Sequence, residues 1–123
     1  MREIKFRGKR IDNGKWSYGC YYWNDCDNKP YIMVDWHECH EVGFNTVSQY
    51  TGLHDSKGKE IYDGDVVCAS NGVLQGVVIY QAPEFIIKRK PHHKTWSQFI
   101  LSSEENQFQT VIGNIYDNKE LIA

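Results

Sequence analysis

Apolar and polar residues alternate with a period of two over many short runs, and no stretch sustains the 3.6-residue period of a long amphipathic helix. Residues 4–11 alternate and stop at Asp12-Asn13-Gly14, where Asn and Gly tolerate positive φ, so residues 15–23 are predicted to return as the second arm of a hairpin. On that arm Trp16, Tyr18, Cys20 and Tyr22 share one face, and Ser17, Gly19, Tyr21 and Trp23 the other. Aromatic residues on both faces predict a hairpin that is sandwiched or forms part of an interface. A polar loop over residues 24–30 leads to a short β run at 31–34. Residues 35–41 fit neither period and read as a loop or ragged strand ending near Gly43, with an extended or single-turn segment at 46–50.

Turn signals are densest over residues 49–67. Gly52 precedes a turn at Asp55-Ser56-Lys57-Gly58, Ile61-Tyr62 is a short β bridge, Asp63-Gly64 is a second turn, and Asp65 starts a strand through Ala69. Asn71-Gly72 turns again, and residues 76–80 carry the strongest β propensity in the chain. Pro83 breaks the pattern, and residues 85–88 resume it. A basic loop spans 88–94, residues 96–101 read as a strand, and residues 108–115 as a strand interrupted by Gly113. Asp117 or Asn118 is placed to cap one last helical turn through Leu121. The expectation is an all-β protein: a hairpin and loop region over residues 1–48, then a small, partly open barrel over 49–123 with the hairpin packed against it.

Composition adds limits. A chain of 123 residues suits one compact domain with a core that needs no staples. The net charge of −2 supplies no general attraction to nucleic acid or anionic membranes. Six Lys or Arg fall within residues 1–15, whereas residues 16–45 are acidic, which predicts two oppositely charged surface segments. The N-terminal residues lack the apolar core of a signal peptide and no run is long enough to span a bilayer, so a soluble cytoplasmic protein is expected. In that compartment Cys20, Cys26, Cys39 and Cys68 are expected as thiols or metal ligands.

Several blocks together resemble the YopX family of phage and prophage proteins, nearly end to end. They are residues 2–10 (Arg2-Glu3-Ile4-Lys5-Phe6-Arg7-Gly8-Lys9-Arg10); Gly14-Lys15-Trp16 with Tyr18-Gly19; Gln49-Tyr50-Thr51-Gly52-Leu53 running through Asp55 and Gly58-Lys59-Glu60-Ile61-Tyr62 to Gly64-Asp65-Val66-Val67; and Ile112-Gly113-Asn114-Ile115-Tyr116. One departure is Lys119, where the family pattern expects Pro. The resemblance implies a β protein with an SH3-like barrel in its C-terminal part, located in the host cell, and it carries over no catalytic or binding residue.

Candidate chemistry is sparse. Cys20, Cys26, His37, Cys39 and His40 are the one set with zinc-ligand chemistry, but no C-x-x-C spacing orders them, so no metal or other cofactor is expected. Asp55, Glu60, Asp63 and Asp65 are read as turn and strand-start residues, because Lys57 and Lys59 occupy positions where a calcium loop needs oxygen. Lys88, Arg89, Lys90 and Lys94 beside Trp96 combine phosphate donors with a stacking ring, a candidate nucleic-acid contact that Arg7, Lys9 and Arg10 could extend. Tyr21 and Trp23 are the candidate partner surface. The leading expectation is a non-enzymatic module that binds a protein partner or itself, with a nucleic-acid-binding barrel as the alternative.

Overall fold

The computed structural model describes residues 4–69, 74–81, 84–89, 97–100 and 110–121. Their regular structure is almost wholly strand, in antiparallel ladders, as the alternation predicts. The chain divides into two compact units, Met1–Tyr50 and Thr51–Ala123.

In the first unit β1 (Phe6–Lys9), β2 (Trp16–Asn24), β3 (Lys29–Met33), β4 (Cys39–Glu41) and the first part of β5 (Ser48–His54) lie in the order β4-β3-β2-β1-β5. The sheet curls. A bridge joins Arg10 to Val42, the Ile11 N–H donates to Glu41 O at 3.0 Å, and the Gly43 N–H donates to Lys9 O at 2.9 Å. The chain leaving β4 is thereby brought back onto the end of β1. Ile32 and Val42 are buried inside this curl, and a Cβ at Gly8 would stand 2.9 Å from that of Val42. Gly19 permits the tightest approach: a Cβ there would lie 2.1 Å from Met33 O, so no other residue fits without parting β2 from β3.

Residues 39–41, expected as loop or ragged strand, form β4. They do so because Tyr31, Ile32 and Met33 pair with Glu41, His40 and Cys39, a tertiary partner that local pattern does not reveal. Phe44–Thr46 is a single 3-10 turn before β5.

In the second unit β6 (Glu60–Tyr62) lies beside the last part of β5, and β7 (Asp65–Ala69), β8 (Leu74–Gln81), β9 (Glu84–Arg89), β10 (Ser97–Ile100) and β11 (Thr110–Asn114) form a sheet ordered β10-β9-β8-β7-β11. Ile61, Val67, Val78, Phe85 and Ile87 make its buried cluster, with Leu53 and Val111 against it. Among the described residues no pairing joins β10 to β11, so the sheet is not a closed barrel. The register of β11 on β7 shifts between Val111 and Gly113, where the sequence predicts an interruption. The last helical turn is a 3-10 turn at Lys119–Leu121. Among the described residues no helix is long and apolar enough to cross a membrane.

Candidate functional site

At the mouth of the curled sheet the end of β1, the start of β2 and the β3–β4 connection surround a pocket of about 250 Å³. Arg10, Trp16, Ser17, Tyr18, Val34, Glu38 and His40 line it. Arg10 donates from Nε and Nη2 to the two oxygens of Asp12 at 3.0 and 2.7 Å, a forked pair across the Asp12-Asn13-Gly14 turn. That hydrogen bond holds the Asp12 carboxyl below the usual carboxylate range and raises the Arg10 guanidinium further. His40 Nε2 meets Glu38 Oε2 at 2.5 Å. Residues two apart on an extended segment share a face, which is why Glu38 reaches His40. Ser17 is 4% exposed, and its Oγ has no hydrogen-bond partner among the described residues. The hydroxyl is therefore not bonded to His40, and the Ser, His and Glu of the pocket do not form a nucleophile and base pair in this geometry.

The turn-dense stretch is held by buried carboxylates. Asp55, 7% exposed, accepts the N–H groups of Lys57 and Lys59 on Oδ1 at 2.8 and 2.9 Å, and that of Val111 on Oδ2 at 3.0 Å. Burial pushes its carboxyl up, but the N–H donors of Val111, Lys59 and Lys57 and the nearby Lys59 charge outweigh that, so it titrates below the ordinary range. Asp65, 1% exposed, accepts the Tyr62 N–H at 2.7 Å and so closes the Asp63-Gly64 turn. Asp63 Oδ1 accepts the Tyr80 N–H at 3.3 Å. Gly52, Gly58 and Gly64 all have positive φ, and Gly64 also gives its N–H to Val78 O and accepts from the Ile115 N–H. Asn114 organises the last turn by accepting the N–H groups of Tyr116 and Asp117, both at 2.9 Å.

Within residues 5–123 these turns coincide with a family model described as YopX protein, which matches that whole span. The chain belongs to the YopX family. Within that span the Arg7 and Lys9 cations lie over the Trp16 ring, Asp55, Gly58, Gly64 and Asp65 shape the central turns, and Asn114 organises the last one. Protein EF1440 from Enterococcus faecalis has a similar crystal structure, with a TM-score of 0.63, 18% identity and coverage of 100% of each chain. At that identity the likeness shows the fold alone. No curated protein matches the chain.

The zinc-type residues of this YopX protein are not gathered. Cys20, Cys26 and Cys39 are exposed thiols, and no group of three His, Cys, Asp or Glu able to hold a metal occurs among the described residues. Cys20 and Cys39 sit on either side of Met33 in the ladder, two strand spacings or roughly 10 Å apart, beyond disulfide reach. On the same face Tyr22 stacks on Tyr31 with centroids 5.4 Å apart, and the Tyr31 hydroxyl donates to Asp27, which pushes its pKa up to about 12.

Of the candidate partner residues, Tyr21 is half-buried and packs on Phe6, whereas Trp23 is 43% exposed and meets the edge of Phe44, itself 64% exposed, at 6.3 Å. Sequence reading did not single out Phe44, which follows Gly43 in the 3-10 turn. It also missed the pocket, because Arg10, Ser17 and His40 come together only through strand register. Lys88, where the predicted β run and the basic loop meet, and Arg89, expected in the loop, both belong to β9 and pair with Val77 and Gly76, since strand β8 continues beside them. Lys90, Lys94 and Trp96 lie outside the described residues. Arg7 is 5% exposed and stacked on Trp16 at 4.5 Å, so it is no surface contact for a polyanion.

Proposed function

We propose that this YopX protein is a non-enzymatic phage or prophage accessory protein, a cytoplasmic β module that binds a protein partner or a second copy of itself through the Trp23 and Phe44 surface. The observation behind this reading is that two large aromatic rings stand packed edge to face while both remain substantially exposed, at 43% and 64%. Ile11, 61% exposed, adds apolar area beside Gly43. Grouped exposed apolar side chains mark interaction surfaces, whereas single ones do not. We take the second unit as an SH3-like, partly open barrel that serves as scaffold.

Native mass spectrometry of the parent and of a Trp23→Ser, Phe44→Ser variant tests the reading. The expected result is a dimer, or a specific crosslinked complex in the producing cell, that is lost in the variant while its circular dichroism is unchanged. Association unaffected by the substitutions would refute it. So would salt-sensitive retention on DNA or RNA that disappears when Lys88, Arg89 and Lys90 become Ser, which would establish the nucleic-acid alternative instead.

A further inference from the structure

The pocket at the mouth of the first sheet is independent of the aromatic surface, and its charges are arranged unevenly. Arg10 and His40 are largely covered, with 24% and 16% of their side chains exposed. The carboxylates that hold them, Asp12 and Glu38, stand 66% and 52% exposed. The Asp12 carboxylate stands in solvent on its turn, so the Arg10 fork is reached by a competing acceptor from outside. Ser17 lines the same pocket with a buried hydroxyl that has no partner among the described residues, an uncommon condition in a folded protein.

We propose that this pocket is a binding site for a carboxylate group, and that Asp12 is the protein's own stand-in for it. An incoming carboxylate takes the Arg10 fork in the planar, two-point manner now used by Asp12, which swings outward on its turn. With Asp12 displaced, an oxygen of the ligand can accept from the Ser17 hydroxyl, whose proton rotates to meet it. Trp16, Tyr18 and Val34 form the walls. Charge selects the class. Arg10 faces two resident carboxylates, so the site has no surplus positive charge for a phosphate dianion, whereas exchange of one carboxylate for another leaves the balance unchanged. A volume of about 250 Å³, below the usual range for drug-sized ligands, admits a group the size of one amino acid. That group is either a free small carboxylate or an acidic side chain presented by a protein.

Titration of the ¹⁵N-labelled protein with glutarate, and separately with a Glu-rich peptide and its Gln counterpart, tests this. Saturable shifts centred on the amides of Arg10, Ser17 and His40 are expected. Asp12→Asn removes the competing stand-in and should tighten binding several-fold, while Arg10→Gln weakens it about tenfold or more and Ser17→Ala weakens it less. A purely structural Arg10–Asp12 pair predicts no tightening in Asp12→Asn. Glutarate binding without peptide binding identifies a free ligand; tighter binding of the Glu peptide identifies a protein side chain. The proposal is overturned if neither the parent nor Asp12→Asn responds at about 10 mM probe, if Asp12→Asn binds more weakly, or if the Gln peptide binds as well as the Glu peptide. Asp12 lies on an exposed turn, so its variant remains informative if Arg10→Gln does not fold.

Discussion

Replacing Asp55 should loosen the second unit at a defined place. Its carboxylate accepts three backbone N–H groups, two inside its own turn and one from Val111 on β11, 56 residues away. Bonds to a charged acceptor contribute roughly 1.5–3 kcal/mol each, and three that share one side chain are coupled rather than additive, so Asp55→Ala is expected to cost about 3–5 kcal/mol. Asp55→Asn can still accept from Lys57 and Lys59 but turns an amide donor toward the Val111 N–H, which makes its cost about 2 kcal/mol. With a urea m-value of roughly 1–3 kcal/mol/M, the alanine variant should unfold at about 1–5 M less urea. Hydrogen exchange gives the local readout: the Val111 amide should lose protection in both variants, and the Lys57 and Lys59 amides chiefly in the alanine variant. The pH dependence has a fixed sign. Because the folded carboxyl is depressed, its stabilisation is present above the unfolded value of about 3.9 and is lost as pH falls through the folded value. Parent and Asp55→Asn should therefore converge in stability in strong acid. An alanine variant as stable as the parent, with Val111 still protected, would refute the reasoning.

Three other substitutions have clear expectations. Gly19→Ala puts a Cβ 2.1 Å from Met33 O, and should cost about 3 kcal/mol or more, read as a lower Tm with loss of protection along β2 and β3. Gly64→Val, at φ +88 with its Cβ 3.1 Å from Tyr116 Cε2, should cost about 1–3 kcal/mol in urea unfolding, and an equally stable variant would contradict the turn assignment. Ser17→Ala removes an unpartnered buried hydroxyl and should be neutral or stabilising by up to about 1 kcal/mol in thermal unfolding; a loss larger than that would mean the hydroxyl has a partner in solution.

Much of this was legible because turn chemistry is local. Asn13-Gly14, Asp55 to Gly58 and Asp63-Gly64 announce chain reversals by side-chain acceptors and positive-φ glycines, and β7 runs from Asp65 to Ala69 as the pattern predicts. β4 was not legible, since Cys39-His40-Glu41 has no alternation of burial and becomes a strand only through its pairing with β3. Gly19 sits in a run that reads as ordinary strand, and nothing local signals the approach of Met33. The pocket residues come from four separate segments, and only neighbours two apart, Trp16 with Tyr18 and Glu38 with His40, are legible as pairs in the sequence.

The position of β1 has a consequence for how the chain acquires its structure. Phe6 and Arg7 pair with Gly19 and Tyr18 on one side and with Gln49 and Ser48 on the other, while Arg10 waits for Val42. The near partner is available as soon as the first hairpin has been synthesised, but the far partners arrive some thirty to forty residues later in the chain, with a correspondingly larger loop-closure cost. Until then one side of β1 offers unpaired N–H and C=O groups. A nascent chain stalled before Val42 is thus a hairpin with an open flank, and emergence of the Val42 to Gln49 segment is the step that protects the N-terminal strand.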